Sequence, residues 1–290
     1  MLCLVLLAAT CPQASAAERT VLLVAGQSNV LNWHADATAL PRSSADAAIA
    51  FYFHTGAPPS KASQMSTPFN ATSAGTWTTL RAQRQEPYVR YAREFFGPEI
   101  SLGRTLHDGG VQPLGIIKVG YFGSSLAEDW RPDATAGNRL YALLLAQIHR
   151  AFAALAARGE SARLAGIFWL QGETDGARRD SAKAYEANLR AFLTRLRQDL
   201  AYASPGGGPL PVVLGRVGPP PAQGYPHQEL VRAAQVRVAE SLPATAWVDT
   251  DDLPRDTDGV HLLAPGLLSL GQRWAAAWQR LRANSAPTPR

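Results

Sequence analysis

Three residues near opposite ends of the chain have the types and spacing that nucleophilic acyl transfer requires. Ser28 follows an apolar run closed by Gly26, where a buried strand would turn into a helix. At such a corner the hydroxyl is exposed and lies near helical backbone N–H groups, which can stabilise an oxyanion. Asp258 precedes His261 by three residues, so its carboxylate can accept a hydrogen bond from Nδ1 and leave Nε2 facing a nucleophile. A helix N-cap and a surface Asp-Gly turn are the simpler alternatives for these two motifs.

The elements that must position these residues alternate along the chain. Apolar runs predict strands at 21–25, 114–119, 166–170, 211–217 and 246–249, and helical spacing predicts helices at 99–108, 138–157, 185–200, 228–241 and 267–281. This alternation predicts one α/β domain, a three-layer α/β/α sandwich around a five-stranded parallel sheet. Ligands of such sheets lie at the carboxyl ends of the strands. Ser28, Gly123, Gln171 and Asp249 all follow predicted strands at that edge.

A long stretch between the first two predicted strands, residues 35–93, is rich in proline, serine and threonine and is predicted to be an irregular insertion. A loop of this length is uncommon in a compact domain unless it has a function. Both a binding surface and a surface meander remain open for it.

Residues 1–16 differ from the rest of the chain and are typical of a secretory signal peptide. Met1 to Thr10 is almost wholly apolar, and Ala14-Ser15-Ala16 gives a small-x-small cleavage site, so cleavage is predicted after Ala16. The absence of Lys or Arg before the apolar run suggests a true start upstream of Met1. Both cysteines lie in this segment, so the mature domain, 17–290, is expected to have no thiol chemistry and to be secreted or periplasmic, without stable membrane insertion.

Composition excludes some partners. The formal charge is +5 with a pI near 9.5, but the 28 basic residues are scattered and form no block. This pattern indicates a solvated surface and predicts no nucleic-acid partner. Protein partners and the oligomeric state cannot be read from the sequence.

Five short motifs along the chain carry a resemblance to a known family. They are Gly26-Gln27-Ser28-Asn29, Gly97-Pro98-Glu99, Gly123-Ser124-Ser125-Leu126 with Trp130, Trp169-Leu170-Gln171-Gly172-Glu173-Thr174-Asp175, and Asp258-Gly259-Val260-His261-Leu262. Each alone is weak, but in this order, over about residues 20–272, they resemble SGNH/GDSL-like serine esterases of the carbohydrate esterase family 6 and sialate O-acetylesterase (SASA domain) type.

The resemblance implies a flavodoxin-like SGNH hydrolase fold and removal of acetyl groups from sugar hydroxyls, as on acetylxylan or O-acetyl sialic acid, without a cofactor. It implies that Ser28 is the nucleophile, that His261 is the general base and then acid, and that Asp258 orients the imidazole. The backbone N–H groups of Ser28 and Gly123 and the side-chain amide of Gln171 would form the oxyanion hole.

Gln27, Asn29 and Glu173 complete the predicted site as supporting residues. Glu173 is expected to hold its loop by hydrogen bonding; it is also a rival to Asp258, but Asp258 has the better spacing to His261. Phe122 stands where family members often have a glycine, and Leu170 stands at an often polar position. Both differences leave the substrate undetermined.

Other kinds of function fit the sequence less well. A metal hydrolase is disfavoured because the six histidines show no His-x-His or His-Glu-x-x-His spacing, and no metal is expected. A catalytically silent carbohydrate-binding protein would lack a nucleophile, base or oxyanion donor, and here all are present. A serine esterase for another acyl ester, such as a lipid or thioester, would be favoured by an extended apolar lid, and residues 35–93 are too polar for one. His34 is a candidate for the site wall, and Trp33, Trp77 and Trp130 are candidates for sugar stacking.

Overall fold

The computed structural model describes residues 17–65, 70–85, 92–206 and 208–285, so the predicted signal peptide lies outside the described residues. Within this part of the chain the strands are β1 (Arg19–Gly26), β2 (Ala50–Gly56), β3 (Asn70–Thr72), β4 (Thr78–Thr79), β5 (Gln83–Arg84), β6 (Glu94–Phe95), β7 (Leu114–Tyr121), β8 (Ala162–Leu170), β9 (Val212–Gly215) and β10 (Thr245–Val248).

The helices are α1 (Ser28–Leu31), α2 (Pro59–Ala62), α3 (Glu99–Asp108), α4 (Leu140–Ala156), α5 (Glu173–Gly176), α6 (Arg179–Asp199), α7 (Gln228–Ser241) and α8 (Ala264–Ser285), with short 3-10 turns at Ala37–Ala39, Ser44–Ala48 and Ala201–Ala203. None of the helices in the described ranges is both long and apolar enough to cross a bilayer.

The central sheet has the strand order β10-β9-β8-β1-β7-β2-β3, with β4 also paired to β2. All neighbours from β10 to β2 are parallel, and only β3 and β4 run antiparallel. The five predicted strands are β1, β7, β8, β9 and β10. Their order in space, β7-β1-β8-β9-β10, is the flavodoxin-like order. The α/β fold prediction is confirmed.

The prediction that residues 35–93 are irregular throughout is corrected by β2, a sixth parallel strand at the far side of β7. Its sequence, AFYFHTG, is aromatic rather than a Val/Ile run, and prolines precede and follow it, so its strand character is weak locally. Pairing with β7 over seven residues and burial of Phe51 and Tyr52 on opposite faces supply what local propensity does not.

Two apolar layers enclose the sheet, as a parallel sheet requires. On one face Leu144 of α4, Phe192 of α6 and Val231 of α7 pack against the strands. On the other face Ile100 of α3 and Trp274 of α8 do so. Because both faces are covered, the carboxyl edge of the central strands is where polar chemistry can be placed.

One charged pair lies inside the second of these layers. Lys118 of β7 and Glu99 of α3 are both fully buried, with Nζ 2.9 Å from Oε1. Lys118 also donates to Oε1 of Gln83 at 2.6 Å, and Glu99 accepts from Gln83 and from the backbone N–H of Gly97, both at 3.0 Å. A side chain at Gly97 would overlap the carbonyl of Val30, which explains the glycine in the Gly97-Pro98-Glu99 motif.

Candidate active site

Ser28 lies where β1 ends and α1 begins, with 8% of its surface exposed. Gly26 makes this corner possible: its φ is +150°, and a Cβ there would overlap the carbonyl oxygen of Leu170 on the neighbouring strand. As the first residue of a helix, Ser28 presents a backbone N–H that has no partner within that helix. If Ser28 is the nucleophile, as predicted, its hydroxyl and its backbone N–H donor lie together at the carboxyl edge of the sheet.

The two amides on either side of Ser28 connect it to the other loops of the site. Oε1 of Gln27 accepts from the backbone N–H of Gly172 at 3.1 Å. Asn29 donates through Nδ2 to the carbonyl of Val260 at 3.1 Å and accepts through Oδ1 from the N–H of Leu262 at 2.9 Å. The residues before and after His261 are thus both bound to the residue after Ser28. Gln27 and Asn29, predicted as supporting residues, therefore hold neighbouring loops by hydrogen bonds to their backbones.

His261 and Asp258 form a close pair on the loop that precedes α8. Nδ1 of His261 lies 2.6 Å from Oδ2 of Asp258, and Oδ1 accepts the backbone N–H groups of Val260 at 2.8 Å and His261 at 2.9 Å. Burial would raise the pKa of Asp258, but these hydrogen bonds outweigh it and hold the pKa at about 2. An ionised carboxylate requires Nδ1 to carry the proton, which leaves Nε2 as the acceptor.

Glu173, the rival acid, lies beneath this pair instead of bonding to it. It is buried, and its Oε1 accepts from Nδ2 of Asn29 at 2.8 Å. Among the described residues its Oε2 has no hydrogen-bond partner. Burial raises the pKa of Glu173, against hydrogen bonds from its own backbone and from Asn29. The geometry gives Asp258, not Glu173, the contact with the His261 ring.

The predicted oxyanion loop, which follows β7, lies beside Ser28 because Gly120 of β7 pairs with Gly26 of β1. Gly123 has φ +56°, and its carbonyl accepts a 2.6 Å hydrogen bond from Nζ of Lys61. The same ammonium lies 5.4 Å from the centre of the Phe122 ring. Burial lowers the pKa of Lys61, while Asp129 acts in the opposite direction. No role is predicted for Lys61 from the sequence, because it lies within residues 35–93, the segment predicted to be irregular.

Gln171 lies at this edge too, but the structure does not support its predicted role as third oxyanion donor. Its Nε2 donates to Oδ2 of Asp175 at 2.6 Å and to the carbonyl of Ser124 at 3.1 Å, so both amide hydrogens are engaged. The Tyr185 hydroxyl donates to the backbone carbonyl of Gln171 at 2.6 Å and also lies 3.1 Å from Oε1, which agrees with this orientation of the amide. Gln171 is fully buried and fastens the oxyanion loop from below.

A second His–Asp pair, absent from the sequence predictions, lies against the first. Nδ1 of His34 lies 2.6 Å from Oδ2 of Asp256, and the rings of His34 and His261 stack with centroids 4.2 Å apart and planes 5° apart. His34, Asp258 and His261 have possible metal-ligand atoms within 4.8 Å of one another. An imidazole binds a metal in its own plane, and one ion cannot lie in two parallel ring planes. This arrangement does not fit a metal centre.

The aromatic candidates divide into wall and core. Trp33 and Phe122 are half-buried and meet edge to face, with centroids 5.1 Å apart, beside the oxyanion loop. Trp130 is fully buried, so it is core and not a sugar platform, and its Nε1 donates to Oγ of Ser124. Trp77 packs on the α4 side of the sheet and donates to the carbonyl of Ala151.

Comparisons with solved structures agree with this architecture. A protein from Arabidopsis thaliana aligns with TM-score 0.63 at 17% identity, over 91% of this chain and 99% of that one. NanS aligns with TM-score 0.63 at 14% identity, over 92% and 98%. XAC1771, a carbohydrate acetylesterase from Xanthomonas citri, aligns with TM-score 0.57 at 20% identity, over 92% of this chain and 57% of that one. At these identities the likeness shows the fold.

Sequence comparison identifies the family. No curated protein matches the chain. A family model described as "Carbohydrate esterase, sialic acid-specific acetylesterase" matches residues 18–280, which include every candidate residue discussed above. The family resemblance predicted from the five motifs is confirmed, and the chain belongs to the SASA family of carbohydrate esterases.

Proposed function

We propose that this esterase removes acetyl groups from sugar hydroxyls by a double displacement at Ser28. The observation that carries the proposal is the Asn29 side chain, which binds both neighbours of His261 while Asp258 holds the ring at Nδ1. These contacts support a nucleophile at Ser28 and a base at His261, two residues distant in sequence, at one edge of the sheet.

In the first half of the reaction His261 accepts the Ser28 proton at Nε2 while Oγ attacks the acetyl carbonyl carbon. The carbonyl oxygen takes up the electron pair, and the backbone N–H groups of Ser28 and Gly123 donate to it. Collapse of the tetrahedral anion expels the sugar oxygen, which receives the proton from His261. An acetyl-serine and a free sugar hydroxyl are formed.

In the second half a water molecule takes the place of the sugar. His261 accepts its proton as the oxygen attacks the acetyl carbon, and the same two N–H groups bind the new oxyanion. Ser28 then leaves with the proton from His261, which releases acetate. Asp258 stays ionised throughout and stabilises the transient imidazolium, in keeping with its pKa of about 2.

The substrate side of the proposal rests on the family and on the wall beside the oxyanion loop. Trp33 and Phe122 offer aromatic surface of the kind on which sugar rings pack. We propose an acetylated sugar of the sialic acid or xylan type, and place its ring against this wall.

The apolar segment before Ala17 supports export as part of the proposal. If residues 1–16 are a signal peptide, the esterase meets its carbohydrate substrate in the periplasm or outside the cell. N-terminal sequencing of protein from a secreting host would test this, and an intact N-terminus on exported protein would contradict cleavage after Ala16.

The test is p-nitrophenyl acetate hydrolysis by residues 17–290 and by Ser28→Ala, with Ser63→Ala, an exposed serine of the same type, as matched control. We expect Ser28→Ala to lose several orders of magnitude in rate, the control to keep wild-type turnover, and rates to fall as the acyl chain lengthens. Acetylated xylan and O-acetyl sialic acid are then compared. Near-normal turnover in Ser28→Ala would sink the triad; a folded wild type without any turnover would indicate a binding protein.

A further inference from the structure

The catalytic pair of the proposed mechanism, Asp258 and His261, is partly exposed to solvent. Asp258 and His261 are on an open loop, with 39% and 22% of their side chains exposed. The Cβ–Cγ bond and the hydrogen bond from Nδ1 to Asp258 together orient the imidazole. On an exposed loop, packing against the face of the ring would keep it in that orientation.

The His34 ring is placed to do so. It lies face to face with His261, 4.2 Å between centroids and 5° from parallel, and therefore blocks rotation towards its side. His34 is itself well held, with 7% of its side chain exposed. Its backbone N–H donates to Oδ1 of Asn32, at the end of the helix that begins with Ser28.

Asp256 forms hydrogen bonds with both histidines. Its Oδ2 lies 2.6 Å from Nδ1 of His34, and its backbone N–H donates to the carbonyl of His261 at 2.8 Å. The His34 hydrogen bond and that of Thr257 lower the pKa of Asp256, so the carboxylate is ionised at neutral pH. One residue thus ties the backbone of the base to the ring stacked on it.

We propose that His34 and Asp256 are positioning residues of this esterase, a second His–carboxylate pair that keeps the His261 imidazole in the orientation Asp258 gives it for proton transfer with Ser28. The inference rests on the proposed function. Its chemistry is geometric: proton transfer requires the Nε2 lone pair to point at the Ser28 hydroxyl, and a misplacement of about 1 Å can lower a rate about a hundredfold. His34 itself exchanges no proton with substrate.

Three variants separate the contribution of the ring stacking from that of the hydrogen bond between His34 and Asp256. His34→Phe keeps a planar ring but loses the bond to Asp256, His34→Ala loses both, and Asp256→Asn keeps the backbone bond to His261 while weakening the tether. We expect kcat for p-nitrophenyl acetate to fall about tenfold in His34→Phe and Asp256→Asn and about a hundredfold in His34→Ala, with KM unchanged. His149→Phe, an exposed histidine in ring contact with Tyr202, is the matched control.

A purely structural role would not give this pattern, because it would lower thermal stability and active fraction without ordering the three kcat values. Labelling of Ser28 by a fluorophosphonate gives a second readout, since its rate depends on activation by His261 and should fall in the same order. If His34→Ala does not fold, the other two variants decide.

Wild-type kcat in the foldable variants, or a raised KM at unchanged kcat, would overturn the proposal. Failure of the proposed function has a different signature, namely turnover that survives in Ser28→Ala.

Discussion

At the scale of single residues, the site depends on amides more than on charges. Gln27 binds the loop that follows β8, and Asn29 binds both Glu173 on that side and the loop that carries His261. The Gln-Ser-Asn triplet therefore connects both loops to the proposed nucleophile. The Gln171 amide likewise connects separate segments, because it donates to the side chain of Asp175 and to the carbonyl of Ser124. Replacing any of these amides should disturb catalysis through the position of a neighbour.

Asp258→Asn tests the one ionised group of the proposed triad. The amide can no longer hold Nδ1–H of His261 and stabilise an imidazolium, so we expect kcat to fall about 10³- to 10⁴-fold with little change in KM. Asp252→Asn, an exposed carboxylate paired with Arg273, should be silent. Because the pKa of Asp258 is about 2, acidification from pH 7 to pH 4 leaves it ionised. A wild-type kcat in Asp258→Asn would contradict its assignment as the carboxylate that orients His261 and stabilises the imidazolium.

Lys61→Met tests the fastening of the oxyanion loop from above. The substitution keeps a side chain of similar length and removes both the charge-assisted bond to the carbonyl of Gly123 and the ammonium over the Phe122 ring. We expect about a tenfold lower kcat for acetyl esters, since a misplaced Gly123 N–H binds the oxyanion less well. Lys183→Met, on an exposed face of α6, is the control. An unchanged kcat would show that the loop holds its shape without Lys61.

At the scale of elements, the oxyanion loop and α5 are held together by one carboxylate. Asp175 accepts the N–H groups of Leu126 at 2.8 Å and Ala127 at 2.9 Å, in addition to Gln171. Burial raises the pKa of Asp175 to about 6, against these three hydrogen bonds. The loop after β7 is therefore positioned by a residue beyond β8, and the two strands must be in register for the site to exist.

Stability should depend on pH through this residue. A carboxyl whose folded pKa, about 6, exceeds its unfolded pKa, about 4, stabilises the fold fully below pH 4 and loses that contribution as pH rises through 6. The difference in unfolding free energy between wild type and Asp175→Asn should shift by about 2 kcal/mol against the wild type from pH 4 to pH 7. Urea titrations of both proteins at several pH values measure it. A difference independent of pH would show that Asp175 does not titrate in this range.

The elements themselves were largely predictable, and their polar partners were not. Strands such as β1 and β8 are predictable from their apolar runs, and α6 is predictable from the helical spacing of its apolar residues. Strand β2 was missed because its stability comes from β7, 60 or so residues later in the chain. Pairing of His34 with Asp256 and the orientation of the Gln171 amide depend on loops distant in sequence, and no local pattern encodes which way a buried amide turns.

At the scale of the whole molecule, the buried pair of Lys118 and Glu99 connects the central sheet to the segment that precedes α3. Gln83 of β5, the strand paired with β6, bonds to both charges, so these two strands are fixed to β7 through the pair. Burial lowers the pKa of Lys118, and Glu99 opposes this effect. Such a pair makes little net contribution to stability but is costly to break.

Lys118→Met should therefore lower the unfolding free energy by about 3–5 kcal/mol, because Glu99 is left without its buried partner charge. The double variant Lys118→Met/Glu99→Gln should be more stable than the single one, since it removes the stranded charge. Urea unfolding measures both, and Arg131→Met, from an exposed pair with Asp133, should leave the midpoint unchanged. A double variant less stable than Lys118→Met would show that the stranded charge is not the source of the loss.

The hydrogen bonds from Asn29 to Val260 and Leu262 span 231 and 233 residues of sequence. During synthesis the proposed nucleophile, Ser28, emerges long before its proposed base, so a nascent chain has no complete catalytic site until His261 has left the ribosome. Such distant contacts also form late, because loop closure must precede them. Hydrolytic activity in this protein is consequently a reporter of completed folding, and a refolding time course followed by turnover should lag behind one followed by helix content.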